Sequence, residues 1–230
     1  MNAEPPPTHS PTERTFPAEP RWPALIAAIA ATALYAALPD SLVAGPAWLG
    51  PALIGLLALG TVITHHRGIH DWNRILGYAL SGVLTIYLVV SLGLLVCAIP
   101  AHREPPLRML ESATALWVSN VLVFALWYWR LDAGGPHGRD ARPGHDAGAF
   151  LFPQMTVEGK TAAAGGRAGD EIPWSPRFVD YLFIAFNTST AFSPTDVPVL
   201  ARWAKVLTMI QSSIALTTVV VLAARAINIL

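Results

Sequence analysis

ILGYALSGVLTIYLVVSLGLLVCAI, residues 75–99, carries no charged side chain from end to end. A helix needs about 20 mostly apolar residues to cross a hydrocarbon layer of ~30 Å. This run exceeds that, and its apolar residues occupy every side of the helix rather than one stripe. Such a helix belongs in lipid, not on the surface of a water-soluble bundle. Three other runs share the pattern: WPALIAAIAATALYAAL (22–38), WLGPALIGLLALGTVIT (48–64) and LRMLESATALWVSNVLVFALWYW (107–129).

The punctuation between them agrees. Pro39-Asp40 closes the first run, His65-His66-Arg67 the second, and Pro100 and Pro105-Pro106 bracket the third connection. Trp127-Tyr128-Trp129-Arg130 ends the fourth with aromatics and a cation, the chemistry of a lipid–water boundary. Composition points the same way: 53% of residues are hydrophobic and 13% charged, against roughly 25% charged in soluble domains. Lys and Arg balance Asp and Glu at 15 each, which speaks against a nucleic-acid partner. The single cysteine, Cys97, excludes an internal disulfide and a cysteine metal site.

Residues 1–21 hold six prolines and no apolar run, and are expected to form a disordered tail rather than a cleaved signal. Residues 22–130 form a four-span bundle. Residues 131–175 hold nine of the seventeen glycines and read as a flexible loop, interrupted by the apolar island AFLFPQM (149–155), which is placed either on the membrane surface or under the bundle. Residues 176–230 form a helical hairpin with a polar turn. Its second helix, VLTMIQSSIALTTVVVLAA (206–224), spans comfortably. Its first, Phe178–Phe192, reaches only about 22 Å at 1.5 Å per residue. The expected fold is an all-α bundle of six spans, or five plus a re-entrant half-helix. With six spans and a cytoplasmic N-terminus, eleven Lys and Arg fall inside and four outside, which orients the bundle with the loop and both termini in the cytoplasm.

The polar turn FNTSTAFSPTD (186–196) sits where a channel carries its pore loop. A potassium filter aligns backbone carbonyls through glycines. Residues 190–196 contain none, and Pro194 fixes its own φ while restricting Ser193. The turn is therefore read as the outer end of a short span. Asn187, Thr188, Thr190, Ser193, Thr195 and Asp196, with Thr208, Gln211 and Thr218 at helical spacing on the last span, form the candidate polar cavity. Small polar residues in this pattern more commonly join helices. Asn120 and Ser119, mid-span in the fourth run, are expected to make an interhelical hydrogen bond, and Glu111 to reach the interface. His65, His66, His70 and Asp71 form the tightest metal-like cluster, but Gly68 points to a solvated turn there. No zinc-protease, serine-hydrolase or phosphate-loop pattern occurs. No catalytic residue, metal site or cofactor is assigned.

VFALWYWRLDAGGP (123–136), FLFPQM (150–155) and the block from Val179 to Leu230, with LYAALPDSLVAGPAWLGPAL (34–53), together resemble a family of uncharacterised bacterial integral membrane proteins. The resemblance implies a multispan protein of the bacterial inner membrane and brings no activity or site residue with it. The last fifty residues are more weakly similar to pore-loop ion channels. The expectation is a non-catalytic membrane component, with the lipid bilayer around it and a protein partner at the cytoplasmic loop. The alternative is a small-solute or ion conduit using the turn at 186–196.

Overall fold

The computed structural model describes residues 18–101, 105–142, 148–156, 174–193 and 196–227. Their regular structure is helical, with one isolated β-bridge, Phe150 to Val199. The helices are α1 (Trp22–Ala36), α2 (Leu49–His66), α3 (His70–Ala101), α4 (Pro106–Leu131), α5 (Gly135–Asp140), α6 (Pro153–Thr156), α7 (Phe178–Thr190) and α8 (Arg202–Ile227). Four of them, α2, α3, α4 with its extension, and α8, are long and apolar enough to cross a membrane; α1 is shorter.

The first four helices run up, down, up and down. Ala24, Ala27, Ala28 and Ala31 put the small face of α1 against α4. Gly50 leaves room for the Tyr35 ring, where a Cβ would overlap it. Gly68, at φ +69°, makes the tight turn between α2 and α3. Asn73 closes that turn by donating to Thr61 O (2.6 Å) and Thr64 Oγ1 (3.2 Å). Helix α4 is the axle: α1, α3, α7 and α8 all pack on it. Met109, Ala113, Leu116, Phe124 and Tyr128 are buried along it.

The two ends of the bundle are identified by contacts between elements far apart in sequence. At the first end, Arg21 pairs with Asp140, His70 stacks on His137 at 3.7 Å, and the Trp129 and Phe178 rings lie 5.9 Å apart. Phe150 meets Trp203 at 6.3 Å, so α8 also starts at this end. At the opposite end, Arg225 near the C-terminus of α8 donates to Ile99 O in the last turn of α3 (3.0 Å).

Helices α7 and α8 therefore both begin at the first end and run parallel. Helix α7, 13 residues or about 20 Å, stops where Ser189 O accepts from Trp117 Nε1 (3.4 Å), halfway along α4. The chain then returns. Leu151 N donates to Pro198 O (2.9 Å) and Leu200 N to Ala149 O (2.7 Å), back at the first end. The segment 178–201 follows the second of the two expected paths, a half-helix beside five longer or apolar helices, because α7 runs parallel to α8 and is too short to traverse the bundle. The polar end of α7 finds its partners inside the bundle, through Ser189, and not at an outer boundary.

The described start of the glycine-rich stretch, residues 131–142, is largely helical. Residues 132–134 make a 3-10 turn, and α5 follows it. Gly134 and Gly135 sit at φ +82° and +78°, and a Cβ on Gly135 would fall 2.7 Å from Arg130 O. The apolar island docks under the bundle: Phe150 and Phe152 are buried against Tyr181. The remainder of the expected loop, and residues 1–17 of the expected tail, lie outside the described residues.

Candidate functional site: a polar hub and a basic end

Four side chains meet at the centre of α4, α7 and α8. Gln211 Nε2 donates to Ala185 O (2.7 Å) and to Ser189 Oγ (2.9 Å). Its Oε1 accepts from the Tyr128 hydroxyl. Asn120 Nδ2 reaches both Ser189 Oγ and Gln211 O, at 3.3 Å each. Asn120, Ser189, Gln211 and Tyr128 are fully buried. A glutamine in an apolar interior is tolerated only when its amide is satisfied, and here one amide stitches three helices.

The candidate residues divide around this hub. Gln211 is its centre. Thr188 and Thr218 are buried beside it, but their hydroxyls turn back to Ile184 O and Ile214 O of their own helices, at 2.8 Å. Thr208 does the same to Lys205 O (2.9 Å). Thr190, Ser193 and Asp196 are exposed, and Asn187 is half-buried. Thr195 lies outside the described residues. The interhelical role expected of Asn120 is what the structure shows. Ser189 and Tyr128 complete the hub, and Tyr128 had no signal in the sequence beyond its place in an aromatic cluster. The side chains expected to line one cavity are thus distributed between a packed interior and an open tip.

The first end carries a second polar cluster. Arg139 is buried; it donates to Glu19 Oε2 (2.8 Å), Trp129 O (2.8 Å) and Asp132 O (3.0 Å), and lies 5.0 Å from the Tyr181 ring. Glu19 also accepts from Trp129 Nε1 (2.6 Å). Asp132 accepts from Ala149 N (2.5 Å) and the Tyr181 hydroxyl (2.6 Å), fastening the docked segment and α7 to the end of α4. Burial lowers the Arg21 guanidinium from its ordinary pKa, with Asp140 and Glu19 opposing that shift. Beside this cluster a cavity of about 430 Å³ opens between α1, α2 and the end of α4, adjoined by a smaller one of about 80 Å³.

The histidine cluster is the boundary turn that Gly68 indicated. His65, His66 and His70 are exposed, and Asp71 makes a loose pair with Arg74 (3.6 Å). Among the described residues no group of three or more His, Cys, Asp and Glu is close enough to hold a metal. Glu111 is exposed near the start of α4 and pairs with Arg108 at 3.6 Å.

The fold defines the class, a helical membrane protein with a polar hub inside and a basic cluster at one end. No family model, curated protein or solved structure matches the chain.

Proposed function

We propose that the chain is a non-catalytic component of a bacterial inner membrane, with α1, α2, α3, α4 and α8 crossing and α7 entering and leaving on one side. The parallel starts of α7 and α8 support this path. So does charge. Among the described residues, nine of eleven Lys and Arg side chains lie at the first end, and only Arg108 and Arg225 lie opposite. By the positive-inside tendency the first end is cytoplasmic. The N-terminus is then inside, as expected from the sequence, but the C-terminus is outside. A protein partner would meet the cytoplasmic loop of residues 131–175.

The observation that carries the non-catalytic reading is the hub itself. Gln211, Ser189 and Tyr128 spend their hydrogen bonds on one another and on backbone, and Asn120 joins them through Nδ2 while its buried Oδ1 meets no partner among the described residues, a pattern of residues joining helices. A second reading, a conduit for a small solute or ion, is favoured by the exposed polar tip. Thr190, Ser193 and Asp196 face outward from the returning turn, amid an apolar surface that includes Phe186, Phe192 and Met209. Such a path would run outside the hub and need further copies of the chain to close it. Flux through liposomes holding the purified full-length protein separates the two. The first reading expects flux no greater than that of empty liposomes. Flux that is lost on Thr190→Ala with Asp196→Asn would overturn it and establish the conduit.

A further inference from the structure

The two cavities at the first end form one site, since Arg21, His65, Asn73, Arg130 and Pro136 line both. The smaller cavity is walled by cations and imidazoles: Arg21, Arg74 and Arg130 with His65, His70 and His137, and no Asp or Glu. Every carboxylate nearby is already engaged. Asp140 holds Arg21, Glu19 holds Arg139 and Trp129, and Asp71 faces Arg74.

Arg130 is different. It makes no hydrogen bond or ion pair among the described residues, and its Nε is buried without an acceptor. The side chain is held where it is by shape. It lies 5.3 Å from the Trp129 ring and against the bare backbone of Gly77, where any Cβ would overlap the guanidinium. Arg130 is half-buried, with its Nε enclosed, and a partly desolvated cation lacking its anion carries a cost. Guanidinium groups in such places are suited to bidentate capture of phosphate or carboxylate.

The larger cavity adds an apolar shaft. Trp22, Ala24, Leu25, Ala28, Val62 and Leu80 line it, leading from Arg130 into the cleft between α1 and α2, with Glu19, Thr61 and His66 also on its wall. At about 430 Å³ it falls within the ~300–1,000 Å³ of small-ligand sites. A cationic head at the bundle's end, continuous with an apolar shaft running inward, matches an amphipathic anion.

We propose that this site binds a phosphate group, with Arg130 as its principal ligand and Arg21 and the imidazoles around it, and that the phosphate is carried by an anionic phospholipid whose chain follows the α1–α2 cleft. The proposal goes beyond the non-catalytic reading and is independent of the flux result, which concerns the tip of α7.

The test uses the full chain in neutral detergent. It is titrated separately with phosphatidylglycerol, phosphatidylcholine and inorganic phosphate, and read by native mass spectrometry and by melting temperature. Phosphatidylglycerol is expected to bind and raise the melting temperature more than phosphatidylcholine does, with inorganic phosphate giving no rise. Arg130→Gln is expected to weaken phosphatidylglycerol binding about tenfold or more, as loss of a charged hydrogen-bonding partner does. The lipid-free variant should melt no lower than the wild type, because a half-buried cation with no acidic partner has been removed. Gly77→Ala, which displaces the guanidinium while keeping its charge, should weaken binding in the same direction. Arg108→Gln, at the opposite end, should leave it unchanged. Arg130-dependent binding of inorganic phosphate with an equal rise would overturn the lipid source and retain the phosphate site. Equal, Arg130-dependent binding of both lipids would overturn the assignment to an anionic lipid, and binding indifferent to Arg130→Gln and Gly77→Ala would overturn the site.

Discussion

Arg139→Gln is expected to lower the unfolding free energy of the full chain by about 3–5 kcal/mol, the cost of breaking a buried pair from one side. The Arg139 and Glu19 side chains are 1% and 6% exposed, so the remaining carboxylate has little water to turn to. Two backbone carbonyls, of Trp129 and Asp132, lose their donor in the same step. Because Asp132 fastens Ala149 and Tyr181 to the end of α4, the docked segment and α7 should loosen together. Denaturant or SDS titration followed by tryptophan fluorescence reads the loss, with Trp129 at the site as reporter. Adding Glu19→Gln should recover part of the stability by removing the stranded charge. A loss below about 1 kcal/mol, the scale of an exposed ion pair, would contradict the buried arrangement.

Gln211→Leu is the second large effect. Leucine has similar bulk and leaves no sizeable cavity, so the loss is chiefly one of hydrogen bonding. Three side-chain bonds disappear, to Tyr128, Ser189 and Ala185. Interhelical bonds in membranes contribute about 0.6 kcal/mol on average and up to ~1.7, so the expected loss is about 2–5 kcal/mol. Thr208→Val supplies the contrast. Thr208 stands on the same face of α8, one turn earlier, but its hydroxyl bonds only its own helix. Its replacement should change stability by less than about 1 kcal/mol. Equal losses at the two positions would mean that the stripe acts through general packing rather than through the amide of Gln211.

The helices were legible in the sequence because lipid leaves few alternatives. The uncharged run at 75–99 lies within α3, and Pro105-Pro106 and Gly68 mark element boundaries where local backbone chemistry requires them. Asn120 was legible for a related reason, since an amide in mid-span must find a partner. What could not be read depended on distant contacts. Whether α7 crosses or turns back is decided where Pro198 and Leu200 pair with residues 149–151, about fifty positions earlier in the chain. A short apolar run is compatible with either path. Arg139 stands in a glycine-rich stretch that composition assigns to solvent, and its acidic partner is 120 residues away, next to the proline-rich tail. Arg130 likewise had the signature of a boundary cation; only its packing against Gly77 distinguishes it from one.

The path of the C-terminal segment is the central claim, and cysteine accessibility tests it most directly. In a Cys97→Ser background, single cysteines replace Arg177, Leu200 and Ala224, all exposed positions, and each is challenged with a membrane-impermeant reagent from either side. The parallel starts of α7 and α8 predict that positions 177 and 200 label from the same side and position 224 from the other. Labelling of 177 and 200 from opposite sides would make α7 a full crossing and contradict the account.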